Sequence, residues 1–399
     1  MRVPSGNLYL PKAAVFNLII ECAFGFGIGI WNIALNFYFR AYGLSPAEIG
    51  LLISVGFFAT AVSSSFCGRL SDKIGFSKVS ALGGIMVSIS LFTISHSSSH
   101  QLFYIAQIIY GFGLACIMST DSPLITSLVL PHQKQLGYNL TIFTYFLSSV
   151  AGSLFAGFFP KMFPLYENPY KVLLIISATS YLILGCTRVW LPKQPLAGRS
   201  SVKFLDVLKS KNVLSFLLFG FVMMTIFNCI MSMLNLILRE RYGLGDDIVG
   251  SLYSLVSISG CMAIPIIALL YRKYSNYQIA SATLAVQIFI ISFMAFAPVW
   301  LFIILVCMRT IANNFIYATV DNPMLQSIEQ DRRGSYSGLR VSSNYIGMSL
   351  GSAISGYFIS KGNYAGLFML TALLCLLQNL IFHQICVPHI VEYNNSKIA

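Results

Sequence analysis

Four charged side chains lie within long apolar segments of the sequence, where a charge is costly. Glu21 and Arg309 fall near the middle of their segments, and Asp121 and Asp321 fall nearer to one end. A charge at the centre of a bilayer costs at least about 2.5–3.5 kcal/mol, so these residues are candidates for function. A buried carboxylate can exchange protons, and a guanidinium can bind an anion or pair with that carboxylate.

Polar side chains recur at helical spacing on the segments that carry these charges. At 100° per residue, Glu21, Asn32 and Asn36 share one face of the first segment. We therefore propose a set of candidate proton-coupling or substrate residues: Glu21, Arg309, Asn32, Asn36, Gln107, Asn228, Asn235, Asn313 and Tyr317. Hydrogen-bonded helix packing is the alternative role, especially for the Asn residues near segment ends.

The composition determines the environment of these segments. Hydrophobic residues make up 56% of the 399 residues and charged residues only 10%, against about 25% charged residues in soluble domains. With a mean hydropathy of +0.76, the excess apolar surface must face lipid. The net charge of +12 does not indicate nucleic-acid binding, because the basic residues lie in short gaps between apolar segments.

The apolar segments predict an all-α integral membrane protein with twelve transmembrane helices. Each crossing of a bilayer core needs about 20 apolar residues. The predicted spans are 13–39, 47–67, 79–97, 101–127, 138–160, 170–191, 213–238, 247–270, 277–297, 299–324, 339–360 and 364–386. Most Lys and Arg residues between spans lie on the side of the two termini, which predicts that both termini are cytoplasmic.

Three motifs recur at an offset of 199 or 200 residues, which predicts two related six-helix bundles. Leu35-Asn36 recurs as Leu234-Asn235, Asp121-Ser122-Pro123 as Asp321-Asn322-Pro323, and Gly152-Ser153 as Gly351-Ser352. The predicted organisation is an N-terminal bundle at 1–191, a basic cytoplasmic linker at 192–212 and a C-terminal bundle at 213–399.

A glycine-rich basic sequence separates the second and third spans. It reads Gly68-Arg69-Leu70-Ser71-Asp72-Lys73-Ile74-Gly75, followed by Phe76-Ser77-Lys78. The glycines permit a turn of two to three residues between the spans, and the basic residues favour the cytoplasmic side. This sequence resembles the loop signature of the major facilitator superfamily, and the resemblance extends over essentially the whole chain.

The resemblance implies two six-helix bundles that rock about a midplane site, with helices 1, 4, 7 and 10 lining one cavity. It also implies a gating or conformational role for the signature residues. Our candidates for that role are Gly68, Arg69, Asp72, Lys73, Gly75, Lys78, Asp121 and Asp321. For the two paired aspartates, an ion pair with a loop residue such as Lys134 or Arg333 is an equal alternative to substrate contact.

These features predict a secondary active transporter of a small organic solute rather than an enzyme. Proton-coupled export of amphipathic compounds, with Glu21 as the titrating group, is slightly favoured. The alternative is a carrier of a small anionic or polar solute bound through Arg309, and a non-transporting receptor is a remote third possibility. We expect no metal or cofactor, no nucleic-acid partner, a monomer in the cell membrane, and the bilayer, a small molecule and protons as partners.

Overall fold

The computed structural model describes residues 9–192, 210–329, 333–388 and 390, and its regular elements in those ranges are all helices. The long helices are α1 Lys12–Ala41, α2 Pro46–Ile74, α3 Phe76–His96, α4 His100–Leu128, α5 Lys134–Met162, α6 Pro169–Arg188, α7 Lys211–Met231, α8 Asp246–Leu270, α9 Asn276–Met294, α10 Val299–Ile316, α11 Arg333–Ser360 and α12 Tyr364–Ile381. Short π-helical segments continue three of them, at Ile237–Arg241, Tyr317–Asp321 and Phe382–Cys386.

Eleven helical stretches in the described part of the chain are long and apolar enough to cross a membrane. The twelfth long helix, α11, has 28 residues but is richer in Gly and Ser. It packs between α2 and α7, so its small residues meet other helices. The fold is therefore the all-helical membrane fold that the sequence predicts, with twelve long helices among the described residues. We call the end of the bundle that holds Lys12 the near side and the opposite end the far side.

The glycine-rich signature departs from the prediction. Residues 68–74 continue α2 for almost two further turns, where the sequence predicted a loop. Gly75 alone joins α2 to α3, and its φ of 98° is readily available only to glycine. The predicted turn of two to three residues is therefore wrong, and most of the signature is helical.

The recurring motifs form equivalent helix contacts in α1–α6 and α7–α12. On α5, Ser153 donates a hydrogen bond to the Gly29 carbonyl of α1. On α11, Ser352 accepts a hydrogen bond from Asn228 of α7. The repeat thus corresponds to two equivalent seams, α1 with α5 and α7 with α11. The predicted domain boundaries stay a prediction, and most of the 192–212 linker lies outside the described residues.

Two further seams join the first six helices to the last six, α2 with α11 and α5 with α8. Glycines face each other across both seams, Gly50 against Gly356 and Gly157 against Gly250. In α2 and α11, the hydroxyls of Ser54 and Ser349 are 2.8 Å apart. Small residues let the backbones approach closely, so dispersion and hydrogen bonding hold the seams together.

We expect a methyl group at Gly356 to destabilise the protein, because its Cβ would lie 2.5 Å from the Pro46 carbonyl oxygen and 2.8 Å from Gly50 Cα. The matched control is Gly338→Ala on the same helix, where an added Cβ meets nothing within 4 Å. That control should gain about 0.5–1 kcal/mol of helix propensity. Thermal unfolding in detergent should show a lower midpoint for Gly356→Ala only, and equal midpoints would contradict the close seam.

Candidate functional site

Three charged side chains form a buried triad within the first six helices, towards the near side. Arg188 of α6 donates to Glu21 of α1 at 2.5 Å and to Asp121 of α4 at 2.8 Å. The same guanidinium donates to Ser80 of α3. The side chains of Arg188 and Glu21 are almost inaccessible, whereas that of Asp121 is 18% exposed. The triad joins three helices, the bond to Ser80 adds a fourth, and Asp121 is the most exposed of the three charged side chains.

Charge in the triad is unbalanced, because two carboxylates share one guanidinium. An uncompensated charge in a low-dielectric interior is strongly unfavourable. Binding one proton on either carboxylate makes the triad neutral, since arginine does not release its proton under these conditions. The arrangement is chemically suited to taking up and releasing a proton.

The sequence analysis did not single out Arg188, although it lies within the predicted span 170–191. Its position in the last turn of an apolar helix made it resemble a flanking residue. The signal that could have identified it was the presence of two acidic residues in neighbouring spans without a basic partner. The predicted partner of Asp121, a loop residue such as Lys134, is wrong because Arg188 fills that role.

Asp321, the repeat counterpart of Asp121, pairs with a different arginine. Arg340 of α11 donates to Asp321 and, at 2.6 Å, to the Phe216 carbonyl of α7. Among the described side chains, the partner of Asp321 is Arg340, and the proposed partner Arg333 has a side chain outside them. This pair holds α7, α10 and α11 together on the near side.

Arg309 does not pair with Glu21, so that predicted pairing is wrong. Its Nη2 donates to the carbonyls of Ile226 and Phe227 at 3.2 and 3.0 Å. The guanidinium carbon lies 5.4 Å from the centre of the Phe227 ring. Arg309 is fully buried, and its Nε and Nη1 have no hydrogen-bond partner among the described residues.

A cavity of about 270 Å³ lies between the first six and the last six helices. Aromatic rings dominate its wall, and the rings of Trp31 and Tyr110 stack at 5.3 Å with an interplanar angle of 5°. The aromatic lining residues are Phe24, Trp31, Phe57, Tyr110, Tyr145, Phe146, Phe227, Tyr253 and Tyr345. No charged side chain is among its described lining residues. The cavity is suited to planar, largely apolar molecules.

The cavity brings together some of the predicted polar residues and leaves others outside. Asn32, Asn36 and Asn228 line it. The described lining does not include Glu21, Arg309, Gln107, Asn235, Asn313 or Tyr317. Glu21 nevertheless lies one helical turn from the lining residue Phe24 on α1. The expectation that helices 1, 4, 7 and 10 line the cavity is only partly right. Residues of α1, α4 and α7 line it, whereas α10 contributes no described lining residue and α2, α5, α8 and α11 complete the wall.

Polar contacts close the far side of the cavity. Asn36 donates to the side-chain oxygen of Asn235 at 2.8 Å, and Asn235 donates to the carbonyls of Asn32 and Ile33. Further out, Arg40 pairs with Glu240 at 2.6 Å and Lys161 with Asp247 at 3.4 Å. Asn36 and Asn235 therefore hold α1 against the end of α7, where the sequence analysis proposed substrate or proton contact.

The signature residues lie at the near end of α2 and the start of α3. Arg69, Asp72, Lys73 and Lys78 are exposed, and Arg69 donates to the Ser65 carbonyl on its own helix at 3.3 Å. Within the described ranges, Asp72 forms no ion pair. The gating role of these residues stays a prediction.

We expect Arg188→Gln to destabilise the protein by about 3–5 kcal/mol, since it leaves two buried carboxylates without a cation. Adding Glu21→Gln should recover part of that loss, because the two side chains interact directly. The control pair is Glu21→Gln with Arg309→Gln, whose losses should add because these residues do not touch. Unfolding free energies in detergent provide the measurement, and additivity in the first pair or coupling in the control would contradict the triad.

Comparison with known proteins finds similarity to two bacterial resistance proteins. NorA, the quinolone resistance protein of Staphylococcus aureus, is 28% identical over 108 residues, which cover 27% of this chain and 28% of NorA. Multidrug resistance protein 2 of Bacillus subtilis is 22% identical over 346 residues, covering 83% of this chain and 84% of that protein. The match to NorA thus extends over less than a third of its length.

Solved structures share the fold at low sequence identity. The nucleoside transporter NupG superposes with a TM-score of 0.74 at 15% identity, covering 94% of this chain and 98% of NupG. A structure of a proton-dependent oligopeptide transporter gives a TM-score of 0.75 at 13% identity, covering 96% of this chain and 99% of that chain.

The family model described as Major Facilitator Superfamily matches residues 18–340 and, in a second match, residues 216–383. This chain therefore belongs to the Major Facilitator Superfamily and is a multi-pass membrane protein.

Proposed function

We propose that this protein is a proton-coupled secondary transporter that exports amphipathic compounds across the cell membrane by alternating access. The observation that carries the proposal is the buried triad of Glu21, Arg188 and Asp121, placed one helical turn from an aromatic cavity. The triad would bind the proton, and the cavity would bind the solute.

The cavity supports an amphipathic aromatic substrate. The aromatic wall, which includes the mutually stacked Trp31 and Tyr110, favours a planar ring, and Asn32 and the side-chain oxygen of Asn228 offer hydrogen bonds at its edge. The indole N–H of Trp31 finds no acceptor among the described residues, so a bound solute could supply one. The names of two relatives, a quinolone resistance protein and a multidrug resistance protein, agree with export of such compounds.

Proton coupling is supported by the difference in exposure between the two carboxylates. The Asp121 side chain is 18% exposed and that of Glu21 only 2%. Each carboxylate lies three residues from a lining residue of the cavity, Met118 for Asp121 and Phe24 for Glu21. A proton that enters at Asp121 would neutralise the triad, and Arg188 would then pair mainly with the remaining carboxylate. This exchange would alter how tightly α6 holds α1 and α4, which is a differential interaction of the kind that shifts a conformational equilibrium.

The basic near side is proposed to face the cytoplasm, with both termini there. Since polar contacts between Asn36 and Asn235 close the far side, the structure would correspond to a state closed towards the exterior. The protein would work as a monomer with the bilayer, a solute and protons as its partners. The two bundles, 1–191 and 213–399, would rock about the α2–α11 and α5–α8 seams.

The second candidate, a carrier of a small anionic or polar solute held directly by Arg309, has less support. Its arginine is absent from the described cavity wall, and Phe227 lies beside the guanidinium. The structural likeness to nucleoside and oligopeptide transporters concerns the fold alone. An aromatic wall without charged side chains is better suited to an amphipathic molecule than to a small polar one.

We expect Glu21→Gln to abolish proton-driven accumulation of substrate while permitting exchange of substrate down its own gradient, because a glutamine cannot carry the proton. Proteoliposomes with and without an imposed pH gradient, assayed with a panel of amphipathic aromatic compounds, provide the measurement. The control is Glu167→Gln, which alters an exposed carboxylate on the far side and should leave coupling intact. Proton-driven accumulation by the Glu21 variant would assign the coupling to another residue.

We expect Asp72→Asn to slow transport with little change in substrate affinity. In the opposite conformation, its carboxylate would interact with the near end of α11, so loss of the charge shifts the conformational equilibrium rather than the binding site. The control is Lys12→Gln, an exposed change at the start of α1 on the same side of the bundle. Transport rates and binding affinities measured on the same preparation separate the two effects, and a wild-type rate for Asp72→Asn would exclude the gating role.

A further inference from the structure

Arg309 is a buried cation whose hydrogen-bonding capacity is only partly used. One terminal nitrogen donates to two carbonyls of α7, whereas Nε and Nη1 have no partner among the described residues. Arginine stays protonated in proteins and presents a fork of five N–H donors. A guanidinium that is fully buried and leaves donors unpaired is therefore poised to accept a further ligand.

No carboxylate pairs with Arg309 in the described part of the chain. The contacts that are present, two backbone carbonyls and the face of Phe227, offset only part of the charge. A cation over an aromatic ring gains about 0.5–2 kcal/mol, whereas removing an ion from water costs several kcal/mol. A small anion would neutralise the charge and accept a hydrogen bond from one of the two unpaired donors.

Phe227 connects this guanidinium to the central cavity. The residue is part of the cavity wall, and its ring centre lies 5.4 Å from the Arg309 guanidinium carbon. The next residue, Asn228, also lines the cavity. A change in the Phe227 rotamer would move a ring that belongs to the cavity wall and lies beside the Arg309 guanidinium.

We propose that Arg309 is a concealed anion-binding subsite of the central cavity, covered by Phe227 in this conformation, and that the preferred substrates are aromatic compounds carrying an acidic group. This proposal rests on the cavity assigned above as the substrate site. The aromatic part of the substrate packs among the aromatic rings of the cavity wall, and the acidic group displaces the Phe227 ring to reach Arg309. The carboxylate then accepts a charge-assisted hydrogen bond from an unpaired nitrogen of the guanidinium.

The test uses a matched pair of probes, 2-naphthoate and its neutral analogue 2-naphthamide. Affinities of both are measured by isothermal titration with the full chain in lipid nanodiscs. Since a charge-assisted hydrogen bond contributes about 1.5–3 kcal/mol, the wild type should bind the anion roughly 10- to 100-fold more tightly than the amide. Arg309→Gln should reduce that ratio to about one while it retains the affinity for the amide.

A second variant keeps the test valid if Arg309→Gln does not fold. Phe227→Ala removes the cover and should increase the ratio of naphthoate to naphthamide affinity. The control is Phe146→Ala, which removes another ring of the cavity wall and should weaken both probes without changing their ratio.

The outcomes separate this proposal from the proposed function. Equal binding of both probes by the wild type, or a ratio that neither the Arg309 nor the Phe227 variant changes, overturns the anion subsite and leaves the aromatic cavity as the substrate site. If the wild type binds neither probe, and the Phe146→Ala variant gives the same result, the cavity itself is not the substrate site. Both proposals then fail.

Discussion

The free-energy cost of a charge in a low-dielectric interior constrains where the charged side chains of this protein, and the helices that carry them, can lie. Arg188 is tolerated at the end of α6 because two carboxylates and a hydroxyl from three other helices surround it. The positive charge of the arginine likewise lowers the free-energy cost of burying Glu21 in α1 and Asp121 in α4. Each helix position in this region therefore depends on the others, and the resulting imbalance of one negative charge is the property on which proton coupling would depend.

The two halves of the repeat meet this constraint in different ways. Asp121 and Asp321 occupy equivalent positions, yet α6 supplies the arginine for the first and α11 supplies it for the second. Because α11 also packs against α2, Arg340 connects its carboxylate to a seam between the two sets of helices. Arg188 lies wholly among the first six helices. A symmetric backbone thus carries two different charge networks, and the two aspartates need not share one role.

Much of the fold could be predicted from the sequence, because lipid imposes length and hydropathy on every span and the repeat fixes their correspondence. The glycine-rich signature was the exception: its polar residues suggested a loop, but a helix can extend beyond the apolar core into water, as α2 does up to Ile74. The site was harder to predict. Glu21 and Asp121 could be identified from the free-energy cost of a charge inside an apolar segment. Their shared partner Arg188 resembled a cation that flanks a span. The pairing of Asn36 with Asn235, and the separation of Arg309 from Glu21, depend on helix rotations that periodicity alone does not define.

The far side is held by two kinds of contact that respond differently to the surrounding solution. The pairs Arg40–Glu240 and Lys161–Asp247 include side chains that are 39% and 75% exposed, so dissolved ions screen them over a Debye length of about 8 Å at physiological salt. The bonds between Asn36 and Asn235 are buried and escape this screening. A higher salt concentration on that side would weaken only the two exposed ion pairs. The salt concentration would therefore have a modest effect on how often this side opens.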